Sequence, residues 1–477
     1  MDFHITLDGR GDRSTRIYRQ LLEAILDGRL RSGERVPPTR ELAERLGVAR
    51  NTVAVAYDRL TAEGFLVGRV GAGTYVYSDG LRSRSRRAPA GTDVRPRAVW
   101  AAMAEPERDS ASELPYDFSA GVPDAGLFPF GTWRGLLRPE AARADYGDPS
   151  GLPDLREAIA RHVGVSRSVR ADADDVLVTQ GAQQALDLIA RVLVEPGGCV
   201  AVEDPGYPLA RRLFRSLGAR VVGVPVDAEG LVVDALPASA RLVYTTPSHQ
   251  FPLGTPMSLR RRTALLDWAA RHDAVVVEDD YDSEFRYSDR PLEPLQSLDR
   301  AGRVVYVGSF SKTLLPTLRL GFLVAPASLR PALRAAKQLT DWHGDPIAQA
   351  ALARFIDEGL LARHIRKATR VYAARHERVA TALRDDFAEW LDVVPSAAGI
   401  HLAARTRNDP EEVVRVARSR GVAIRSLATF SPEVHFGLVI GFGAIPVERI
   451  DDGLRVLAGS FAQAGTTVPS APSTVIS

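Results

Sequence analysis

The sequence predicts a small, mainly α winged helix-turn-helix domain followed by a large α/β domain with a mainly parallel sheet. Three observations carry this expectation. Residues 12–78 read as helix, short helix, tight turn, longer helix and hairpin, in that order. Residues 113–460 alternate short Val-rich runs with amphipathic stretches, the pattern of strands buried on both faces. Of 61 basic residues only three are lysine, and one of them, Lys312, lies in a small, hydroxyl-rich turn directly after such a run. Arginine serves this chain for surface charge, but only lysine can lose its proton and attack a carbonyl. Lys337 and Lys367 lie in helix-like, charge-dotted stretches and read as solvated surface.

Composition bounds the rest. A chain of 477 residues exceeds one ordinary core, so at least two domains are expected. The formal net charge is only +2, so nucleic-acid binding must come from local clustering and not from global charge. The single Cys199 excludes an internal disulfide framework and fits a reducing compartment. Its setting, Gly197-Gly198-Cys199-Val200-Ala201-Val202, reads as the start of a buried strand. No run reaches the length of a membrane span, and Met1-Asp2-Phe3-His4 does not open a signal peptide. A cytoplasmic protein without a membrane partner is expected.

In the first domain, Ile17, Leu21 and Ile25 recur at helical spacing and end near Asp27-Gly28. Pro37-Pro38-Thr39 introduces a short helix over Arg40–Leu46, stopped by Gly47. After a tight turn a longer helix runs from Arg50 to Leu60, with Val53, Tyr57 and Leu60 on one face and Gly64 at its end. Phe65-Leu66-Val67 and Thr74-Tyr75-Val76-Tyr77 form a hairpin around Arg69-Val70-Gly71-Ala72-Gly73. A recognition helix presents polar residues from its first turn, here Arg50, Asn51 and Thr52. Arg40 can clamp a phosphate or reach guanine, and Gly71 and Gly73 beside Arg69 let a wing tip approach the DNA backbone. Residues 79–112, with Arg82, Arg84, Arg86, Arg87, Arg95 and Arg97 among Ser, Pro, Gly and Ala, read as a flexible basic linker. The tail 461–477, rich in Ser, Thr, Pro and Ala toward its end, reads as disordered.

In the large domain the strand ends carry the chemistry, as the ligand sites of open α/β sheets do. After Val178, the turn Thr179-Gln180-Gly181-Ala182-Gln183 opens a helix whose backbone N–H groups suit a phosphate. After Val202, Tyr207 offers a face for a planar ring. After Val277 comes the acidic run Glu278-Asp279-Asp280-Tyr281-Asp282, and after Val307 come Ser309, Ser311 and Lys312, with Arg319 seven residues on. Pyridoxal 5′-phosphate accounts for all of these together. Its aldehyde needs Lys312 for an imine, its ring nitrogen a carboxylate such as Asp279, and its 3′-oxygen a phenol such as Tyr281. Its phosphate needs Ser309, Ser311, Gly181, Ala182, Gln183 and Arg319. No residue group in the chain is read as a metal site.

Two resemblances follow from these residues. The run SGERVPPTRELAERLGVARNTVAVAYDRLTAEGFLVGRVGAGTYV resembles the N-terminal domain of GntR-family transcription regulators over its whole length. It implies operator DNA binding by Arg40, Arg50, Asn51, Thr52 and the wing. Residues from about 115 to 457 resemble fold-type-I, aspartate-aminotransferase-like enzymes. That fold implies a head-to-tail homodimer in which Tyr146, in Tyr146-Gly147-Asp148-Pro149-Ser150-Gly151, reaches the neighbouring subunit's phosphate site. Phe251 takes the place where such enzymes often carry an Asn beside the 3′-oxygen.

A GntR-type head fused to an aminotransferase-like domain is the plan of the MocR subgroup of regulators. TPSHQFPLGTPMS, VEDDYDSEFRY and GSFSKTLLPTLRLGF are similar to the subgroup's variants of the motifs. The resemblance implies a sensor that moves DNA-binding heads and is not primarily an enzyme. Aminotransferases of this fold commonly grip the substrate α-carboxylate with an arginine in a late strand. In Leu438-Val439-Ile440-Gly441-Phe442 that position is Val439, with Arg425 the nearest arginine. The missing clamp, a loss of about 2–3 kcal/mol, favours pyridoxal phosphate itself as effector, as in the PdxR-type regulators of vitamin B6 synthesis. The alternatives are a sensor of an amino acid or GABA through the cofactor, an active aminotransferase with an accessory DNA-binding head, and a DNA-binding protein whose large domain has lost its cofactor.

Overall fold

A computed structural model describes residues 5–7, 12–77, 94–103, 114–138, 146–287, 293–431, 433 and 436–464. The chain divides into two compact units, Met1–Pro96 and Arg97–Ser477.

The first unit is built as its sequence pattern requires. Helix α1 (Arg13–Leu26) is capped by Asp12, whose side chain accepts from the Ser14 and Thr15 amides. Helix α2 (Thr39–Leu46) ends on Gly47, which supplies the left-handed residue at φ 61°. Helix α3 (Arg50–Ala62) buries Val53, Ala56, Tyr57 and Leu60 against α1 and α2. Strands β1 (Leu66–Arg69) and β2 (Gly73–Val76) pair antiparallel from Leu66↔Val76 to Arg69↔Gly73. The Tyr57 hydroxyl donates to the Pro37 carbonyl at 2.8 Å, tying the recognition helix to the α2 entry.

In the second unit, helix α4 (Ala98–Ala101) leads into the short strand β3 (Tyr116–Asp117) and helix α5 (Phe130–Leu136). The alternating part follows: α6 (Pro153–Arg167), β4 (Val176–Thr179), α7 (Ala182–Leu193), β5 (Cys199–Asp204), α8 (Pro208–Ser216), β6 (Arg220–Asp227), β7 (Gly230–Leu231), β8 (Ala240–Thr245), α9 (Leu259–Arg271), β9 (Val275–Asp280), α10 (Leu295–Leu298), β10 (Val304–Ser309) and β11 (Gly321–Val324). Helices α11 (Arg330–Thr340) and α12 (Pro346–Asp357) precede the long α13 (Leu360–Asp385). A smaller layer closes the chain with β12 (Leu391–Val393), β13 (His401–Thr406), α14 (Pro410–Ser419), β14 (Val422–Ala423), β15 (Arg425–Ser426), β16 (Leu438–Gly441) and α15 (Val447–Ala464).

The large sheet has the order β4-β11-β10-β9-β8-β5-β6-β7. Strands β6, β5, β8, β9 and β10 are parallel neighbours, while β11 runs antiparallel between β10 and β4. Every residue of β4, β5, β9, β10 and β11 is buried, as strands covered on both faces require. The carboxyl ends of β4, β5, β8, β9 and β10 therefore share one edge, and Gly321, opposite both Thr179 and Ser309, brings the start of β11 to it. The smaller layer is an antiparallel sheet of order β12-β13-β16-β15, with a separate parallel pair of β14 and β3.

Three expectations need correction. The linker expected to be flexible over 79–112 contains the helical turn α4, where Ala98-Val99-Trp100-Ala101 carries neither Gly nor Pro and has the best helix former at both ends. The Arg212 guanidinium then donates to the Met103 carbonyl at 3.3 Å, while residues 79–93 and 104–112 of that linker lie outside the described residues. Residues 461–464, expected to open the tail, continue α15 to Ala464, and Phe461 is buried, its ring stacked 5.5 Å from Trp390; the rest of that tail lies outside the described residues. Lys337, which reads as solvated surface, is fully buried on α11 and paired with Asp341. Charge spacing along a helix does not reveal which face packs.

Candidate functional site

The shared strand edge assembles most of the predicted cofactor residues. Gly181, at φ 79°, leads into α7, whose first turn has no side-chain cap and so leaves backbone N–H donors for a ligand. A Cβ on Gly181 would lie 3.1 Å from the Arg319 guanidinium, so glycine is what lets the arginine close over this turn. Arg319 is itself left-handed at φ 51° and donates to the Gln180 carbonyl. Ala182 and Gln183 open α7, and Oε1 of Gln183 is buried without a partner. Across from them, Ser309 accepts from the Ser311 amide at 3.1 Å. Behind the turn Asp341 accepts from both Gln180 and Gln184 and pairs with Lys337, a support the sequence did not reveal.

Asp279 is the penultimate residue of β9 and is buried inside the domain. Its Oδ2 accepts from the Tyr244 hydroxyl at 2.8 Å, while Oδ1 is buried with no partner. Burial pushes its carboxyl up to about 7, opposed by the Tyr244 hydrogen bond and by the Lys312 charge. A buried, half-satisfied carboxylate is the acceptor that a protonated ring nitrogen needs. Lys312 donates to the Gly121 carbonyl at 2.6 Å. Burial holds its ammonium below the usual lysine range, against the pull of Asp282 and Asp279, which favours the nucleophilic amine. Tyr207 opens α8 with its ring 5.8 Å from Phe251, and burial raises its phenol to about 12. Phe251 also lies 5.8 Å from Tyr281, where the Asn of related enzymes was expected to be replaced.

The structure adds groups that sequence reasoning missed. Glu203, fully buried at the end of β5, accepts from Thr245, Thr246 and Gln250 and so fixes the turn that carries Phe251. His249 lies 2.9 Å from the Tyr281 hydroxyl and 3.0 Å from Asp282. Val439 is buried in an apolar cluster with Leu253, Ala403, Leu427 and Phe430, which fills the position of the expected carboxylate clamp. Arg425 pairs across from Val439 and lines a small cleft with Glu411 and Arg418. Tyr146 does not join this chain's Lys312 cluster; it is 74% exposed, 4.6 Å from the Trp342 ring.

In the first unit, Arg40, Arg50 and Asn51 are exposed and Thr52 is half-buried, while the apolar face of α3 points inward. Nε of Arg50 lies 3.4 Å from the Thr39 hydroxyl, bringing the starts of α2 and α3 together. The Arg69 guanidinium sits over the Tyr75 ring at 4.9 Å. Gly71 has open space around it at φ 75°, but a Cβ on Gly73 would meet Arg35 at 2.7 Å. Gly73 thus seats a further exposed cation, Arg35, beside the wing.

These parts fit pyridoxal phosphate, since one lysine, one unpartnered carboxylate oxygen and one uncapped helix turn with an arginine occur together at a single sheet edge. Among the described residues no helix is long and apolar enough to cross a membrane.

Known proteins agree with this arrangement. Residues 13–76 match the bacterial regulatory proteins of the gntR family, and residues 137–436 match aminotransferase class I and II. The chain is 39% identical over 458 residues to the probable rhizopine catabolism regulatory protein MocR of Rhizobium meliloti, covering 93% of each. It is 33% identical over 438 residues to the pyridoxine biosynthesis transcriptional regulator PdxR of Corynebacterium glutamicum, covering 90% of this chain and 92% of that one. A solved kynurenine aminotransferase of Pyrococcus horikoshii superposes with a TM-score of 0.69 at 28% identity, over 79% of this chain and 97% of that chain. With its winged head and its pyridoxal-phosphate-type aminotransferase domain, the chain belongs to the MocR-type regulators of the GntR family.

Proposed function

We propose that this DNA-binding regulator senses pyridoxal phosphate itself and controls genes of vitamin B6 synthesis. The unpartnered Oδ1 of Asp279 carries the reading, because a cation at that oxygen relieves a buried carboxylate whose Tyr244 hydrogen bond reaches only the other oxygen. Lys312 would hold the aldehyde carbon, Asp279 the ring nitrogen, Tyr281 the 3′-oxygen and Tyr207 the ring face. Gly181, Ala182, Gln183, Ser309, Ser311 and Arg319 would hold the phosphate, and Tyr146 would complete the partner's site in a head-to-tail homodimer. When bound, the cofactor supplies an electrophilic carbon and an electron-withdrawing ring.

The apolar packing of Val439 supports cofactor sensing over turnover of amino acids, because the side chain at the clamp position carries no charge and packs with Leu253, Leu427 and Phe430. The relative that regulates pyridoxine biosynthesis supports the same reading. Arg40, Arg50, Asn51, Thr52, Arg69 and the wing glycines Gly71 and Gly73 would engage the operator, each head reading one half-site. The test is operator binding measured with and without pyridoxal phosphate, alongside calorimetric titration of the loaded protein with amino acids and GABA. A change in operator binding with the cofactor alone is expected. Tight binding of an amino acid that is itself required for that change would overturn the effector assignment, and rapid multiple-turnover transamination would overturn the sensor reading.

A further inference from the structure

Beside the Lys312 pocket, three oxygens crowd one nitrogen. The Tyr281 hydroxyl lies 2.9 Å from Nδ1 of His249, and the two oxygens of Asp282 lie 3.0 and 3.1 Å from the same atom. Both His249 and Asp282 are buried, Asp282 completely. On the far side of the ring, Nε2 meets the Ser396 hydroxyl at 3.1 Å. Gly399 presses against this pair so closely that a Cβ there would sit 2.1 Å from Cε1 of His249 and 2.5 Å from Asp282. The imidazole is held at both nitrogens and along its edge.

One nitrogen carries at most one proton, so the direction of that proton decides what Tyr281 can do. A buried carboxylate without a donor is the costliest member of the trio to leave unsatisfied. Nδ1 therefore carries the proton and directs it to Asp282. A protonated Nδ1 cannot accept from the phenol, so the Tyr281 proton is left for an acceptor on the pocket side, where Asp279 also acts on it.

We infer, building on the cofactor reading above, that His249 is a positioning residue whose Nδ1–H, locked onto Asp282, turns the Tyr281 hydroxyl toward the 3′-oxygen of bound pyridoxal phosphate. Without the imidazole, buried Asp282 accepts the Tyr281 hydrogen bond instead and the phenol turns away from the cofactor. Asp282→Asn has the same result by another route, because a neutral amide no longer fixes the proton on Nδ1, which can then accept from Tyr281. His249→Asn keeps an amide donor for Asp282 and offers the phenol no acceptor at that nitrogen.

The experiment is a pH titration of the visible band of the cofactor-loaded full chain. The proton whose loss bleaches that band lies beside the 3′-oxygen, so a donor to that oxygen is worth more once the proton has gone. The donor lowers the midpoint and its loss raises it. His249→Phe and Asp282→Asn are expected to raise the midpoint by about one pH unit, roughly tenfold in proton affinity, the scale of one such hydrogen bond. His249→Asn is expected to titrate with wild type. The other charged or titratable groups around this trio, Asp279, Asp280, Glu203, Glu284, Arg286, Tyr287, Lys312, His376 and His401, are the same in every variant. Wild-type midpoints in His249→Phe and Asp282→Asn overturn the assignment, and so does a shift in His249→Asn as large as in His249→Phe. If His249→Phe does not hold cofactor, Asp282→Asn, which keeps the side-chain size, decides alone. A wild-type protein that shows no visible band on loading overturns the cofactor reading itself.

Discussion

Asp279→Asn separates the cost of the buried carboxylate from its use. Asp279 is 4% exposed, and one of its oxygens has no partner. Burial moves its carboxyl from 3.8 up to about 7. A shift of about 3 pH units corresponds to about 4 kcal/mol. The folded-state value is raised, so the group's contribution is most favourable below the unfolded value near 3.8 and declines as pH rises through about 7. Above that range the cofactor-free domain carries the full cost. Asparagine keeps the shape and the Tyr244 contact but leaves an amide to satisfy, which costs about 1–3 kcal/mol. Without cofactor, the variant is expected to be about 1–3 kcal/mol more stable than wild type at about pH 8, an advantage that disappears near pH 4. Saturating pyridoxal phosphate reverses the order, because a protonated ring nitrogen satisfies the carboxylate and gives the amide much less. Denaturant unfolding at both pH values, with and without cofactor, measures all four quantities. A cofactor-free variant less stable than wild type at the higher pH, or equal stabilisation of both proteins by cofactor, refutes the reasoning.

Two further predictions concern the other regions. Arg50→Ala is expected to abolish specific operator binding while the visible band of the loaded protein stays unchanged, because Arg50 is exposed at the start of α3; normal footprinting by this variant would refute the interface. Phe461→Ala is expected to destabilise the large unit by about 3–5 kcal/mol, since the ring is 1% exposed and packs on Trp390 and Phe387. Unchanged thermal unfolding of that variant would show the end of α15 to be dispensable.

Much of the fold was legible because its signals are local. Gly47, Gly64 and Gly181 end or open helices at the expected places, and Val-rich runs became strands buried on both faces. Strand direction was less legible: nothing in Gly321–Val324 distinguishes an antiparallel strand from its parallel neighbours. Lys312 and Asp279 stood out because lysine is scarce here and acidic residues are rarely placed at the end of a buried strand. The groups that tune them did not stand out. Tyr244, Glu203 and His249 each belong to residue types that fill ordinary turns and strands, and their roles exist only through partners 32 to 47 residues away in sequence.

The same distinction explains the errors. Lys337 and Phe461 were misjudged because exposure depends on what packs against a helix, and neither spacing nor composition carries that information. Arg35 was overlooked because its relevance rests on a Gly73 contact across a hairpin. Tyr146 is the reverse case. Its exposure in a single chain has no local explanation, and the expected homodimer supplies one by making it part of a neighbour's site. Residues that do chemistry directly are chosen for rare properties and can be read singly. Residues that aim them are common types in specific pairs, so in this chain the lysine and aspartate are visible in the sequence, while the histidine that orients Tyr281 becomes visible only once β8, β9 and the turns after them are placed side by side.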